Sequence, residues 1–196
     1  AALGEGIGAA QSLASLHLVF KYCSGLGDTG VVALGKGIGA AKSLATLNLE
    51  FQRCPNLGNA GVAALGKGIG ASKNLATLNL AFTARFSILK GTAAAEEYGK
   101  RTGMAVCGLR LGDTGVVALG QGIGAAKSLA TLHLEFDNCP NLGETGVAAL
   151  GKGIGAAKSL ATLHLEFWGF CDGRKKLGDT AVVALGKGVE AAKSLA

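Results

Sequence analysis

Proline is scarce, at 2 of 196 residues, which excludes a collagen-like chain and a proline-rich linker. Aromatic side chains are also few (7 Phe, 2 Tyr, 1 Trp), too few for an aromatic-cored sandwich or a base-stacking surface. Charged residues make up 16%, against roughly 25% in an average globular protein. No uncharged apolar run reaches the roughly 18 residues of a membrane span. The stretch from Ala1 to Phe20 is apolar but carries Glu5 instead of a basic start. It also matches later internal segments, so it does not read as a signal peptide. The net charge is a mild +6, and the longest basic block is Arg174-Lys175-Lys176. Basic residues are dispersed and aromatics do not interleave with them, so no nucleic-acid partner is expected. Hydrophobic residues are plentiful at 49%, which argues against disorder, and glycine is abnormally abundant at 33.

The main fact is a repeat. The segment LGDTGVVALGKGIGAAKSLATLNLEF begins at Leu26, with close copies from Leu57, Leu111 and Leu142 and a less complete one from Leu177. Leu18, Leu49 and Leu80 are 31 apart, as are Leu134 and Leu165. A strict period of this length marks a solenoid of stacked units. Each unit reads in two halves. Leu47, Leu49 and Phe51 alternate with Thr46, Asn48 and Glu50, which predicts a strand buried on one face. Val31, Leu34 and Ile38 then fall on one face of a helix. Asp28 precedes that helix and is placed to accept hydrogen bonds from its first free N–H groups, as are Asn59, Asp113 and Asp179; Glu144 is a poorer cap. Strand and helix in tandem give parallel strands joined by right-handed crossovers. Helices are wider than the strand spacing, so the array curves with its strands inside.

The pattern LxLxFxxCxxLGDxGVxxLxxxI resembles leucine-rich repeats, closest to the ribonuclease-inhibitor-like class. Its turn cysteines, Cys23, Cys54 and Cys139, are similar to those of the cysteine-containing class. The resemblance covers nearly the whole chain. It implies a right-handed α/β horseshoe with a parallel sheet on the concave face and short helices on the convex face. It departs from the family in its 31-residue unit, in Cys where many members have Asn, and in the LGKGIGA helix. The expected organisation is a single array over residues 1–196, of about six units, with no polar capping unit at either end. A longer array, or partners over the ends, is therefore expected.

Three features interrupt the monotony. Gly35, Gly37 and Gly39 recur in unit after unit, at a cost of roughly 1 kcal/mol each in a helix interior. Either Gly35 and Gly39 admit a close neighbour, or this half is partly irregular; short helices held by stacking are the favoured reading. Between Leu80 and Leu134 the interval is 54. Residues 83–110 are thus a degenerate unit, the preferred reading, or an insertion of 23 residues. Finally, the connector Trp168–Lys176 is four residues longer than its counterparts.

The run GIGAAKS lacks the glycine before lysine that a P-loop needs and leads from helix to strand, so nucleotide binding is not expected. Five cysteines, about one per unit and with no CxxC pair, read as a ladder of reduced thiols in an intracellular, reducing compartment. On the concave face the alternation lines up His17, Asn48, Asn79, His133 and His164, and beside them Val19, Glu50, Ala81, Glu135 and Glu166. His133, Glu135, His164 and Glu166 have the residue types of a zinc ligand set or an acid–base pair. No nucleophile accompanies them, so a solvated polar ladder is the preferred reading, with no enzyme activity, metal, cofactor or small-molecule ligand expected. Lysines fall in the helical half. The candidate partner-binding residues are Asn48, Glu50, Asn79, His133, Glu135, His164, Glu166 and, on an irregular connector, Trp168, Phe170 and Arg174. The expected function is a scaffold that binds a protein partner within a larger complex. A structural subunit docked by convex lysines or open ends is the alternative. GTPase activation, known in some ribonuclease-inhibitor-like proteins, is implied by the resemblance only.

Overall fold

Leucine and phenylalanine at alternate positions bury one face of each strand, and the aliphatic residues of each helix close over that face. The computed structural model describes residues 2–84, 109–168 and 177–192. Helix α1 (Ala2–Ala9) leads into β1 (Ser15–Lys21), α2 (Asp28–Ala40), β2 (Thr46–Gln52), α3 (Asn59–Ala71) and β3 (Thr77–Thr83). After residues 85–108 come α4 (Asp113–Ala125), β4 (Thr131–Asp137), α5 (Glu144–Ala156), β5 (Thr162–Trp168) and α6 (Asp179–Ala191). The five strands form one parallel sheet in sequence order. Every pair is in the register of the repeat, with Leu18, Leu49, Leu80, Leu134 and Leu165 side by side.

The core is continuous through the stack. Val62, Leu65 and Ile69 of α3 and Leu78, Leu80 and Phe82 of β3 are all buried, as are their equivalents in the flanking coils. Phe20, Phe51, Phe82, Phe136 and Phe167 stack in a column, with ring centroids 5.4–5.7 Å apart. Offset stacking of this kind adds about 0.5–1.5 kcal/mol per pair beyond the area buried.

Strand β3 pairs directly with β4, Leu80 against Leu134. That pairing leaves no position in the stack for a coil between them. The two readings of 83–110, a degenerate unit or an insertion, turn on residues 85–108, which lie outside the described residues.

The glycine-rich halves are regular α-helices of 13 residues from α2 to α6, so the irregular alternative does not hold. The close-approach reading holds in altered form. Gly37 faces the helix before it, where an added Cβ would collide with the Gly4 carbonyl oxygen, and Gly35 faces the helix after it, against Ala64. The same pair recurs down the stack: a Cβ on Gly66 would lie 2.6 Å from the Ala118 oxygen and one on Gly120 2.8 Å from that of Ala149. Gly39 is less tightly held, with its nearest neighbour 3.3 Å away.

The helix starts also differ from expectation. No side chain caps its own helix among α2 to α6. Instead, Asp28 Oδ1 accepts from the N–H groups of Gly58 and Gly61 at the start of the next helix, at 2.8 and 3.0 Å. Asn59 does the same for Gly112 and Gly115, and Asp113 for Gly143 and Gly146. The correction has a simple cause. Stacking brings the side chain of one coil nearer to the next helix start than to free N–H groups of its own.

Candidate functional site

Residues facing away from the core on β1–β5 form the polar columns read from the repeat. His17, Asn48, Asn79, His133 and His164 are register partners, and so are Val19, Glu50, Ala81, Glu135 and Glu166. Residues from β1 to β4, among them His17, Asn48, Glu50, Asn79, His133 and Glu135, line an open groove of about 590 Å³ along this face. The sheet face is thus concave.

Within the groove the asparagines are bonded to each other, Asn79 Nδ2 donating to Asn48 Oδ1 at 2.5 Å. His17 Nε2 lies 3.8 Å from Glu50 Oε1. At the other end of the face the side chains converge more closely. His164 Nε2 is 2.7 Å from Glu166 Oε1, His133 Nε2 is 3.9 Å from the same oxygen, and the two imidazole rings are 4.3 Å apart. Trp168 Nε1–H donates to the other oxygen, Glu166 Oε2, at 2.8 Å. These hydrogen bonds, first from His164 and then from Trp168, hold the Glu166 carboxyl below the usual glutamate range. Glu135 stands in register with Glu166.

Trp168 is the residue that was misplaced from sequence. It is the last residue of β5, paired with Asp137, and not part of an irregular connector. The alternation of β5 puts it on the same face as Glu166 and His164. The signal was available, since Trp168 follows the period-2 pattern two positions beyond Glu166. Phe170 and Arg174 lie outside the described residues.

The convex side is basic. Lys36, Lys67, Lys152 and Lys187 on the helices are exposed, as are Lys42, Lys73, Lys127 and Lys158 just beyond them. The thiols lie between the two sides. Cys54 and Cys139 are buried beneath the turns, Cys23 is half-buried, and all three are unpaired. Burial pushes the Cys54 thiol up, and burial together with the Asp137 carboxylate pushes that of Cys139 up to about 12.

Neither a protein-family model nor a curated protein matches the chain in sequence. Among solved structures, the chain is similar to the tropomodulin C-terminal domain of Caenorhabditis elegans. The TM-score is 0.55 at 10% identity, over 97% of this chain and 93% of that one. It is also similar to the leiomodin-1 domain called Actin-Binding Site 2, with a TM-score of 0.54 at 11% identity, over 95% of this chain and 87% of that one. Likeness at such identity is likeness of fold. Stacking, register and neighbours together define the molecule as an α/β solenoid of the leucine-rich-repeat type, with a parallel sheet inside and helices outside.

Proposed function

We propose that the chain is a non-catalytic scaffold that binds a protein partner through its concave face. The observation that carries this reading is the separation of charge across the stack. Glu50, Glu135 and Glu166 share one column inside the curve, where Lys21 is a lone strand lysine, whereas Lys36, Lys67, Lys152 and Lys187 stand on the helices. Such a face suits a partner offering basic and hydrogen-bonding groups, and steers it in the right orientation. Trp168 and the paired His133 and His164 rings add the residue types that concentrate interface energy. The likeness to a leiomodin-1 domain that is an actin-binding site supports protein binding as a use for this architecture, and makes actin one candidate to assay.

The test is a charge reversal on each side. Glu50→Lys with Glu135→Lys is expected to abolish cross-linking to the native partner, and Lys36→Glu with Lys152→Glu to leave it intact. The opposite result would assign binding to the convex side. That second reading has its own observation in the exposed Val182 and Val183 of α6, 65% and 55% accessible, beside the Lys187 surface. Attachment there would weaken steeply with added salt if the lysines dominate.

A further inference from the structure

We propose that His133, His164 and Glu166 form a binding site for a zinc-class divalent cation on the C-terminal part of the concave face. The proposal goes beyond the partner-binding reading and does not depend on it. Sequence reasoning named a zinc ligand set or an acid–base pair among the uses of these residue types and preferred a solvated polar ladder.

The geometry points to the ion. His133 and His164 are register partners on adjacent parallel strands, and Glu166 is two residues beyond His164 on the same face. One donor atom from each lies within 4.8 Å of the other two. A tetrahedral zinc ion with bonds near 2.0–2.1 Å sets its ligand atoms about 3.3 Å apart. The observed separations from Glu166 Oε1, 2.7 Å to His164 and 3.9 Å to His133, bracket that spacing. Bringing both to it takes about 0.6 Å each, and the two histidine donors, within 4.8 Å of each other, close by side-chain rotation as well. Two neutral imidazoles and one carboxylate suit a borderline-soft ion, and the single negative charge leaves the bound centre positive.

Support around the ligands is of the kind that metal sites have. The indole N–H of Trp168 holds Glu166 Oε2, which leaves Oε1 directed to the histidines. Among the described residues the converging donors are these three, which leaves the fourth position of a tetrahedral ion to water or to a donor from a molecule seated on the face. By contrast, among the described residues His17 and Glu50 belong to no group of three such ligands.

The chain has only 3 His and 1 Trp, which makes the test local. Zinc chloride is titrated into the full chain while ring ¹H–¹⁵N NMR signals of the histidines and Trp168 emission are followed. The expected result is saturable movement of the His133 and His164 signals and of the emission, complete below about 100 µM zinc, with His17 unmoved. His133→Ala and His164→Ala are each expected to weaken the binding at least about tenfold, and His17→Ala to leave it unchanged. All three replacements lie on the solvent side of the sheet, and circular dichroism checks that the fold is kept. Zinc that leaves the His133 and His164 signals in place, that moves His17 equally, or that binds His164→Ala as tightly as the parent would overturn the proposal.

Discussion

A single carboxylate at the start of a helix works here on its neighbour. Asp113 Oδ1 takes two backbone N–H groups of the following coil, at 2.6 and 3.1 Å. Asn59 performs the same task with a neutral amide, so an oxygen acceptor is needed and a charge is not. Asp113→Asn is therefore expected to be nearly neutral in urea unfolding, whereas Asp113→Ala should cost about 1–2 kcal/mol by leaving two helix-start donors unpaired. A similar cost for both would show that charge matters after all. The sequence made these residues legible as caps but not whose caps they are, because that depends on the offset between stacked coils. Cysteine chemistry follows the same logic of position. The Cys139 thiol is raised from its ordinary value near 9 to about 12 by burial and by Asp137. Its folded form thus titrates later than its unfolded form. The stability tied to the protonated thiol is complete below about pH 9 and falls away as the pH rises towards 12. At pH 8 the thiolate fraction is lower than that of an ordinary cysteine by about a thousandfold. Peptide mapping after brief iodoacetamide treatment is expected to find Cys23 alkylated and Cys139 untouched until denaturant is added. Early labelling of Cys139 would contradict the buried placement.

Glycine inside a helix normally invites replacement by alanine, which gains roughly 1 kcal/mol. In these helices the sign depends on which neighbour the position meets. A Cβ on Gly122 would run into the backbone of Gly66 in the preceding helix, whereas one on Gly186 of α6 meets nothing within 4 Å. Gly122→Ala is therefore expected to destabilise the chain by about 1–3 kcal/mol, as overpacking against rigid backbone does, and Gly186→Ala to stabilise it by up to about 1 kcal/mol. Thermal or urea unfolding of the two variants checks both signs, and equal shifts would refute helix contact through glycine. Periodicity alone located the helices and their buried Val, Leu and Ile positions, because these depend only on the 3.6-residue turn. It did not identify Gly37 as the tighter contact over Gly39, because that is set by the angle at which one helix meets the next. Likewise the strand pattern placed His133, His164 and Glu166 on one face, since alternation and register are both written in the repeat. Their convergence on one oxygen was not written there, because it depends on rotamers and on the hydrogen bond from Trp168.

At the scale of the whole molecule, neighbouring coils touch through sheet hydrogen bonds, stacked phenylalanines and glycine-lined helices, and from Asp28, Asn59 and Asp113 also through side chains that cap the next helix. Stability in such an array is a sum of coil and interface terms, so a weak interface would divide it. The largest break in the period lies between β3 and β4. There the stack itself shows no break: the Phe82 and Phe136 rings are 5.7 Å apart, the same spacing as Phe51 to Phe82, and Asn59 caps the helix that starts with Asp113. Period arithmetic left this region open because 54 is both 31 plus 23 and 62 minus 8. Direct pairing of β3 with β4 makes the first the reading to test. Arg110 occupies the bridge position of Asn56 and Asn141, so in a sequence alignment Ala84 and Leu109 match Arg53 and Pro55, and 85–108 fall opposite the single residue Cys54. Replacing 85–108 by a single cysteine should then yield a chain that folds with the same five-stranded sheet. Its thiol would sit under the Phe51 carbonyl, as that of Cys54 sits 3.5 Å from the Phe20 carbonyl. The shorter connection closes a smaller loop, so the unfolding midpoint in urea is expected to be equal or higher, with a single cooperative transition. Loss of the folded circular dichroism spectrum, or a second transition at lower urea, would mean that 85–108 supplies contacts the stack needs, and would restore the reading of that segment as a unit of the array.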